Sequence, residues 1–386
     1  MSALRAISLT SIDQLRAAAP QWDDLWWRSD VALPMARAEF IAQWVEHFCP
    51  KAAFRAVAVE EDGRWLASLP LVGCRLGRFL PAGGLPGNAW SPCGDLLLDH
   101  DVEVDAALDL LLATVSKLPW PLLWLNEAPH ESSRWRGLQH ACDRAGVPVV
   151  HRQQYQVGRV EIRHDWDSYQ RQLPKNHRQA MTRAARRLAE QGNLQFERCC
   201  DLSLDQVELR MRKIFAVEDR GWKGRAGSSV LHTPGMFPFF VRQAEEHARL
   251  GQLDLATLQL DERLIAFLYG FRGKGVCFAH KIGYDPEFAA FSPGQLLFFR
   301  LLEQLHQDEQ VRALDFMGPL NQSLSRWRPA SYRVGRLALA MRRPLARAAL
   351  YAYQHWWPRF ARVRAHRSSD AGPPVLLPSP SGRGPG

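Results

Sequence analysis

The sequence lacks the short motifs by which several chemistries announce themselves. There is no GxSxG elbow, no Walker phosphate loop, no HExxH pair and no GxGxxG following a strand. These absences remove the serine-hydrolase, P-loop, zinc-protease and dinucleotide-binding readings. Seven cysteines include no CxxC pair, and Cys199 and Cys200 are adjacent. That spacing argues against a disulfide framework or a structural zinc site, and for a reducing compartment. No apolar run approaches the length of a bilayer span, and the opening MSALRAISLTSIDQLRAA has no apolar core followed by a small-residue cleavage site. A cytoplasmic protein without a metal is expected.

What is present is a chain of 386 residues, 46% apolar and 23% charged, the balance of a soluble globular protein with two domains and extensions. The formal charge is +9, part of it carried by 341–367, which holds many arginines and no acid. Such a balance favours anionic partners (CoA phosphates, nucleotide sugars, RNA, anionic lipid) without choosing among them.

The strongest pattern lies between Leu253 and Gly318. Leu253–Leu260, Leu264–Phe271 and Val276–Ile282 are apolar runs separated by tight polar turns, which predicts an antiparallel meander. A helix from Pro293 to about Gln307 follows, with Leu297, Leu301 and Leu305 on one face. Ser292, Pro293 and Gln295 spell an N-cap, a first-turn proline and a capping box, and Gly294 permits close approach to the backbone. Arg312–Met317 predicts a further strand. The N-terminus of that helix can receive a pyrophosphate, although Ser-Pro-Gly also suits an ordinary capped helix.

The first half echoes this order. Helices are expected at Ile12–Ala18, Ala36–Phe48, Val102–Leu118 and Ser132–Ala145, a hairpin at Phe54–Glu60 and Trp65–Val72, a loop from 79 to 94, and a strand at Leu122–Leu125. Tyr155–Ile162 is expected to join the halves as a strand. Asp167–Glu190 predicts one helix bearing Arg171, Lys175, Arg178, Arg183, Arg186 and Arg187, a solvated basic face or a handle for an anion. Leu204–Arg220 and Met236–Leu250 predict helices, Gly221–Gly227 a flexible loop, and Tyr332–Met341 a last strand. Residues 343–367 predict a basic amphipathic helix that packs on the domain or lies on an anionic membrane, and 368–386 a disordered tail.

Four segments carry a resemblance: Lys281–Leu297 (KIGYDPEFAAFSPGQLL), Leu314–Gly318 (LDFMG), Gly221–Gly227 (GWKGRAG) and Leu173–Leu188 (LPKNHRQAMTRAARRL). In that order they resemble the GNAT-type acetyltransferase domain of the CelD and FemABX-like group. The resemblance implies an α+β (mixed α/β) fold of tandem GNAT-like domains, each a mostly antiparallel sheet flanked by helices. It places a degenerate copy at 1–150 and the acyltransferase copy at 151–342. Cys93 stands where the second copy has Gly294, so the first copy is expected to shape the substrate groove and not to hold the co-substrate.

The implied reaction is direct attack of an amine or hydroxyl on the thioester of acetyl-CoA or another acyl-CoA, where Val276–Ile282 and Arg312–Met317 diverge. Lys281 and Ile282 would line the pantetheine, and Ser292, Pro293, Gly294 and Gln295 the pyrophosphate. Trp222, Lys223, Arg225, Asp315 and Trp327 would contact substrate. Asp285 is the first candidate base, although Tyr-Asp-Pro also makes a good turn; Glu218, Asp219 and Asp315 are rivals, and Tyr284 or Tyr332 could protonate the leaving thiolate. The expected acceptor is a sugar or an envelope or exopolysaccharide precursor. A FemABX-like use of charged tRNA, or a non-catalytic scaffold in polysaccharide biosynthesis, are the alternatives.

Overall fold

The computed structural model describes residues 3–77, 80–341 and 344–355. The expected tail, and the part of the expected basic helix beyond His355, lie outside the described residues. Thirteen strands form among those described: β1 Arg5–Leu9, β2 Phe54–Glu61, β3 Arg64–Leu76, β4 Leu80–Gly84, β5 Leu97–Leu98, β6 Leu122–Ala128, β7 Val149–Glu161, β8 Leu194–Cys199, β9 Leu253–Leu260, β10 Arg263–Gly273, β11 Val276–Tyr284, β12 Ala313–Pro319 and β13 Ala330–Ala340. They build one sheet in the order β1-β2-β3-β4-β6-β13-β7-β12-β11-β10-β9-β8, with β5 added to β3.

The hairpin turns follow from local chemistry. Asp62-Gly63 and Lys274-Gly275 take positive φ at both positions, and Asp261 at one, the backbone that tight hairpins require. Parallel pairing occurs twice, β4 with β6 and β11 with β12. Each parallel pair is preceded by a meander and followed by one more strand, β7 in the first half and β13 in the second. Those last strands are exchanged: β13 pairs with β6, β7 pairs with β12, and the two pair with each other. A continuous sheet results.

Side chains alternate along each strand, and the two faces have different cores. One face carries a core common to both halves, with Trp22, Trp26 and Ile41 packed alongside Phe215, Phe240, Tyr269 and Phe271. The opposite face has two separate cores. Helices Asp105–Val115 and Ser133–Arg144 cover the first half; helices Lys175–Ala189 and Pro293–Leu305 cover the second. Helix Pro344–His355 seats Ala346 and Leu350 on Ala82, Leu122, Ala338 and Ala340. Leu345 is 81% exposed on its outer side.

Several expectations change. The stretch expected as a loop at 79–94 contains β4; Gly83 is needed there because a Cβ would stand 2.5 Å from the Trp120 ring. The helix expected at Asp167–Glu190 is two, Trp166–Gln172 and Lys175–Ala189, since Pro174 drives Leu173 out of helical geometry. Gly221–Gly227 holds a helical turn, Trp222–Arg225. A Cβ on Gly224 would lie 1.7 Å from the Asp219 carbonyl, so the turn is packed down on helix Leu204–Arg220. No helix among the described residues is long and apolar enough to cross a membrane.

Candidate functional site

β11 and β12 are paired in parallel over three positions only, Val276 with Ala313, Cys277 with Leu314 and Phe278 with Asp315. Beyond them the strands part. β11 is bulged at His280, between the pairs Gly270–Ala279 and Tyr269–Lys281 of its ladder with β10. β12 turns at Met317, φ 57°, and rejoins β7 only at Pro319. Bulges bend a strand and end pairing, and here one edge of β11 is left without a neighbour.

The divergence lies between two hollows on opposite faces. Phe278 and Asp315 line a cavity of about 480 Å³. Their neighbours Ala279 and Phe316, with Ile282, line a cleft of about 610 Å³.

The cleft gathers most of the expected site: Glu218, Trp222, Lys223, Arg225, Ile282, Tyr284 and Ser292 to Gln295, with Asn321 and Arg326 in addition. Its charged lining is three cations and one carboxylate. That carboxylate, Glu218, is buried and already engaged, accepting from Lys223 Nζ at 2.5 Å and from the Val230 N–H at 3.0 Å. Trp222 is 61% exposed at the mouth.

The helix N-terminus forms part of the wall, but not through the expected capping box. Ser292 is left-handed, φ 50° and ψ 52°, and its side chain makes no cap; its carbonyl receives the Gln295 and Leu296 N–H groups. Gln295 Oε1 is buried without a partner. A Cβ on Gly294 would meet only Tyr284 at 3.6 Å and Ile282 at 4.0 Å. These are ordinary contacts, so the fold does not demand glycine there; what glycine leaves is space in the cleft.

Three expected site residues are placed elsewhere, and a fourth, Tyr284, lines the cleft away from the diverging strands. Asp285 is buried and held by Arg220 at 2.8 Å and Arg263 at 2.6 Å, and it accepts the Glu287 N–H. It stabilises a turn and is not free to act as a base. Lys281 shares a face with His280 because of the bulge; its Nζ lies over Trp90 and Phe240, each at 5.3 Å. Burial and the Lys223 charge pull its pKa down to about 7; the side chain packs among rings, and only its main chain lies on the β11 edge expected to line the pantetheine. Trp327 is fully buried, with His177 edge-on at 4.6 Å and its carbonyl bonded by the Tyr169 hydroxyl; it is core. Tyr284 lies six residues along β11 from Phe278, a rise of roughly 20 Å, at the helix-N-terminus end and far from the divergence.

Asp315 lies at the divergence itself. It is buried and accepts the Met317 N–H at 2.8 Å, with Tyr332 and Arg159 beside it. Burial pushes its pKa up to about 6 despite these neighbours. The Tyr332 phenol is pushed well up by burial and by Asp315, so it stays protonated. Glu127, also on the cavity wall, is exposed at its rim with Tyr155 beside it, and desolvation there raises its pKa and that of the phenol. Sequence reasoning missed Arg326, Glu127 and Tyr155. Arg326 stood beside the chosen Trp327, and the other two carry no local signal, being joined across strands.

Residues 175–327 match the acetyltransferase (GNAT) domain family. No curated protein is close enough in sequence to count as a relative. Among solved structures the chain is similar to FemX, at 10% identity, over 89% of this chain and 99% of that one, with a TM-score of 0.60. It is also similar to the C-terminal domain of a putative lysylphosphatidylglycerol synthetase from Agrobacterium fabrum, at 14% identity, over 88% and 97%, with a TM-score of 0.52. A Bacteroides thetaiotaomicron protein of unknown function follows at 12% identity, 88% and 100%, TM-score 0.52. At these identities the likeness is one of fold.

Proposed function

Because residues 175–327 match the acetyltransferase (GNAT) domain family, we propose that the chain is an acyltransferase that moves an acyl group from an acyl-CoA to an amine or hydroxyl held on the opposite face of its sheet. The observation that carries this reading is the 610 Å³ cleft, which unites a helix N-terminus, three cations and the diverging strands. The N-terminus at Ser292–Gln295, with Lys223, Arg225 and Arg326, would hold the diphosphate. The open edge of β11 would pair with the pantetheine amides and bring the thioester to the divergence.

The acceptor would then occupy the 480 Å³ cavity, and Asp315 would take its proton. The nucleophile forms a bond to the thioester carbon, the carbon–sulfur bond breaks, and the sulfur leaves as thiolate. A base whose pKa lies near neutrality is the kind that serves this step. The first half, 1–150, is read as a copy without its own donor site. Its equivalent helix begins with Asp105 in the first turn, unsuited to phosphate, and Cys93 is buried with its thiol donating to the Met35 carbonyl. It contributes cavity wall instead, through Asp30, Asp95, Glu127 and Arg134. A sugar or an envelope-polysaccharide precursor remains the acceptor class of this reading.

A second reading, a charged-tRNA donor, has one observation in its favour. Helix Lys175–Ala189 presents Lys175, Arg183, Arg186 and Arg187 to solvent, and Arg187 lies over Phe291, one residue from Ser292. Calorimetric titration of acetyl-CoA into the wild type and Gly294→Trp separates the two. The expected result is binding by the wild type and none by the variant, whose indole fills the cleft. Failure of acetyl-CoA and of longer acyl-CoAs to bind the wild type would overturn the first reading in favour of the second.

A further inference from the structure

The cleft and the cavity take nothing from 341–367. That stretch holds seven arginines and no acidic residue, and Trp356, Trp357 and Phe360 stand in its second half. Among the described residues it contributes the helix Pro344–His355, whose inner side seats Ala346 and Leu350 against the sheet. Its outer stripe is Leu345, Ala348, Tyr351 and His355, spaced three or four residues apart and all exposed. Leu345 is 81% exposed and Tyr351 63%, the two highest values among the large apolar side chains described. A helix packed on one side ordinarily turns charged and polar residues outward; this one turns out a leucine and a tyrosine.

The charges around the helix are of one sign. Arg152 donates to the Tyr353 and Gln354 carbonyls, and its guanidinium lies over the Tyr353 ring at 4.1 Å. Arg336 donates to the Asn126 side chain and, at 3.1 Å, to the Tyr353 hydroxyl. Arg347 donates to the Gly146 carbonyl at 3.0 Å. All of these acceptors are neutral, and the helix has no carboxylate of its own to offset the three guanidiniums. The helix also adjoins the cavity. On β13, Tyr332 and Val334 line the cavity, while Ala338 and Ala340 lie under the helix. Alternate residues of a strand share a face, so helix and cavity are on the same side of the sheet, with Val334 and Ala338 roughly 13 Å apart along the strand.

We propose that the outer face of helix Pro344–His355, with the basic and aromatic residues that follow it, docks on the surface of an anionic phospholipid bilayer. Leu345 and Tyr351 enter the boundary between headgroups and acyl chains, and the arginines meet lipid phosphates. A second copy of the chain suits this face less well, because a twofold contact would bring the same arginines together. An anionic bilayer complements both the apolar stripe and the charge around it. Docked in this way, the chain holds its cavity beside the lipid surface. The attachment is independent of the acyl donor.

The test is co-sedimentation of the full chain with vesicles of phosphatidylcholine alone, and of phosphatidylcholine with an equal part of phosphatidylglycerol, at low and high salt. The variants are Leu345→Asp with Tyr351→Asp, Leu345→Trp, and a control of matched charge at exposed positions of another helix, Leu204→Asp with Leu209→Asp. The wild type is expected to bind the anionic vesicles about tenfold or more tightly than the neutral ones, less so as salt rises. Leu345→Asp with Tyr351→Asp should weaken that binding about tenfold or more, and Leu345→Trp should strengthen it severalfold. The control pair should leave it within about twofold. No binding of the wild type to anionic vesicles, equal binding to both kinds, or an equal loss in the control pair would overturn the proposal. So would a concentration-dependent dimer that Leu345→Asp with Tyr351→Asp abolishes while vesicles go unbound; that result would give the face to a second copy of the chain.

Discussion

A carboxylate clasped by two guanidiniums has little to gain from a further proton, whereas one buried beside a phenol and a single main-chain N–H holds its proton up to higher pH. Asp315 is of the latter kind; Asp285 is tied to Arg220 and Arg263 as the anchor of a turn. Asn at 315 should lower turnover by about a hundredfold or more while acetyl-CoA still binds, the usual size of a lost general base. The wild-type rate, read as thiol release, should rise with pH through about 6 and then level, because the ionised form accepts the proton and burial has moved it up from 3.8. The groups facing Asp315 from neighbouring strands are Tyr332, Tyr155 and Arg159; both phenols are pushed further from neutrality by burial, so neither adds a limb to that rise. A flat profile between pH 5 and 8 would remove Asp315 from the role. Asp285→Asn should do the reverse, keeping activity within severalfold and lowering stability by about 1–2 kcal/mol in urea unfolding, a modest cost because both arginines are partly exposed.

The cleft depends on short elements held by backbone contact, above all the turn Trp222–Arg225. Gly224 lies against the Asp219 carbonyl with no room for a methyl group. Gly224→Ala must therefore lift the turn and carry Lys223 and Arg225 away from the helix N-terminus. Acetyl-CoA binding should weaken about tenfold with a loss of about 1–3 kcal/mol in stability; unchanged affinity would show that these cations do not hold the donor. Such packing is invisible in GWKGRAG, which reads as a flexible loop. The meander was legible because its turn residues and apolar runs are local signals. The misplacement of Lys281 has a single physical cause: a bulge at His280 puts two consecutive residues on one face, and alternation alone cannot say where a bulge falls. Ser292 was read as a side-chain cap from its type, but the preceding turn, Pro286–Phe291, delivers it left-handed. β4 was hidden because Pro81, Gly83 and Gly84 are poor strand formers, kept there by Trp120 and by pairing with β3 and β6.

At the scale of the molecule, the exchange of β7 and β13 ties the halves together. Removing either half would strip the other of a strand at the centre of its sheet, and the core on one face already runs through Trp22, Met35, Phe215 and Phe271 without a break. Helix Pro344–His355, which follows the last strand, covers β4, β6 and β13 of that same centre. Two tandem units joined by a linker would unfold in two steps, each with its own enthalpy; units that share strands and a core should not. Scanning calorimetry should thus give one transition, with calorimetric and van't Hoff enthalpies in agreement. Leu350→Ala should shift that whole transition downward, at a cost of about 2–4 kcal/mol for a buried leucine, and should not split it. Two resolved transitions in the wild type, or a split in the variant, would mean that the halves are coupled more weakly than the sheet implies. In that case a cavity walled by both halves, with Glu127 from one and Asp315 from the other, would not hold its geometry well enough to position an acceptor.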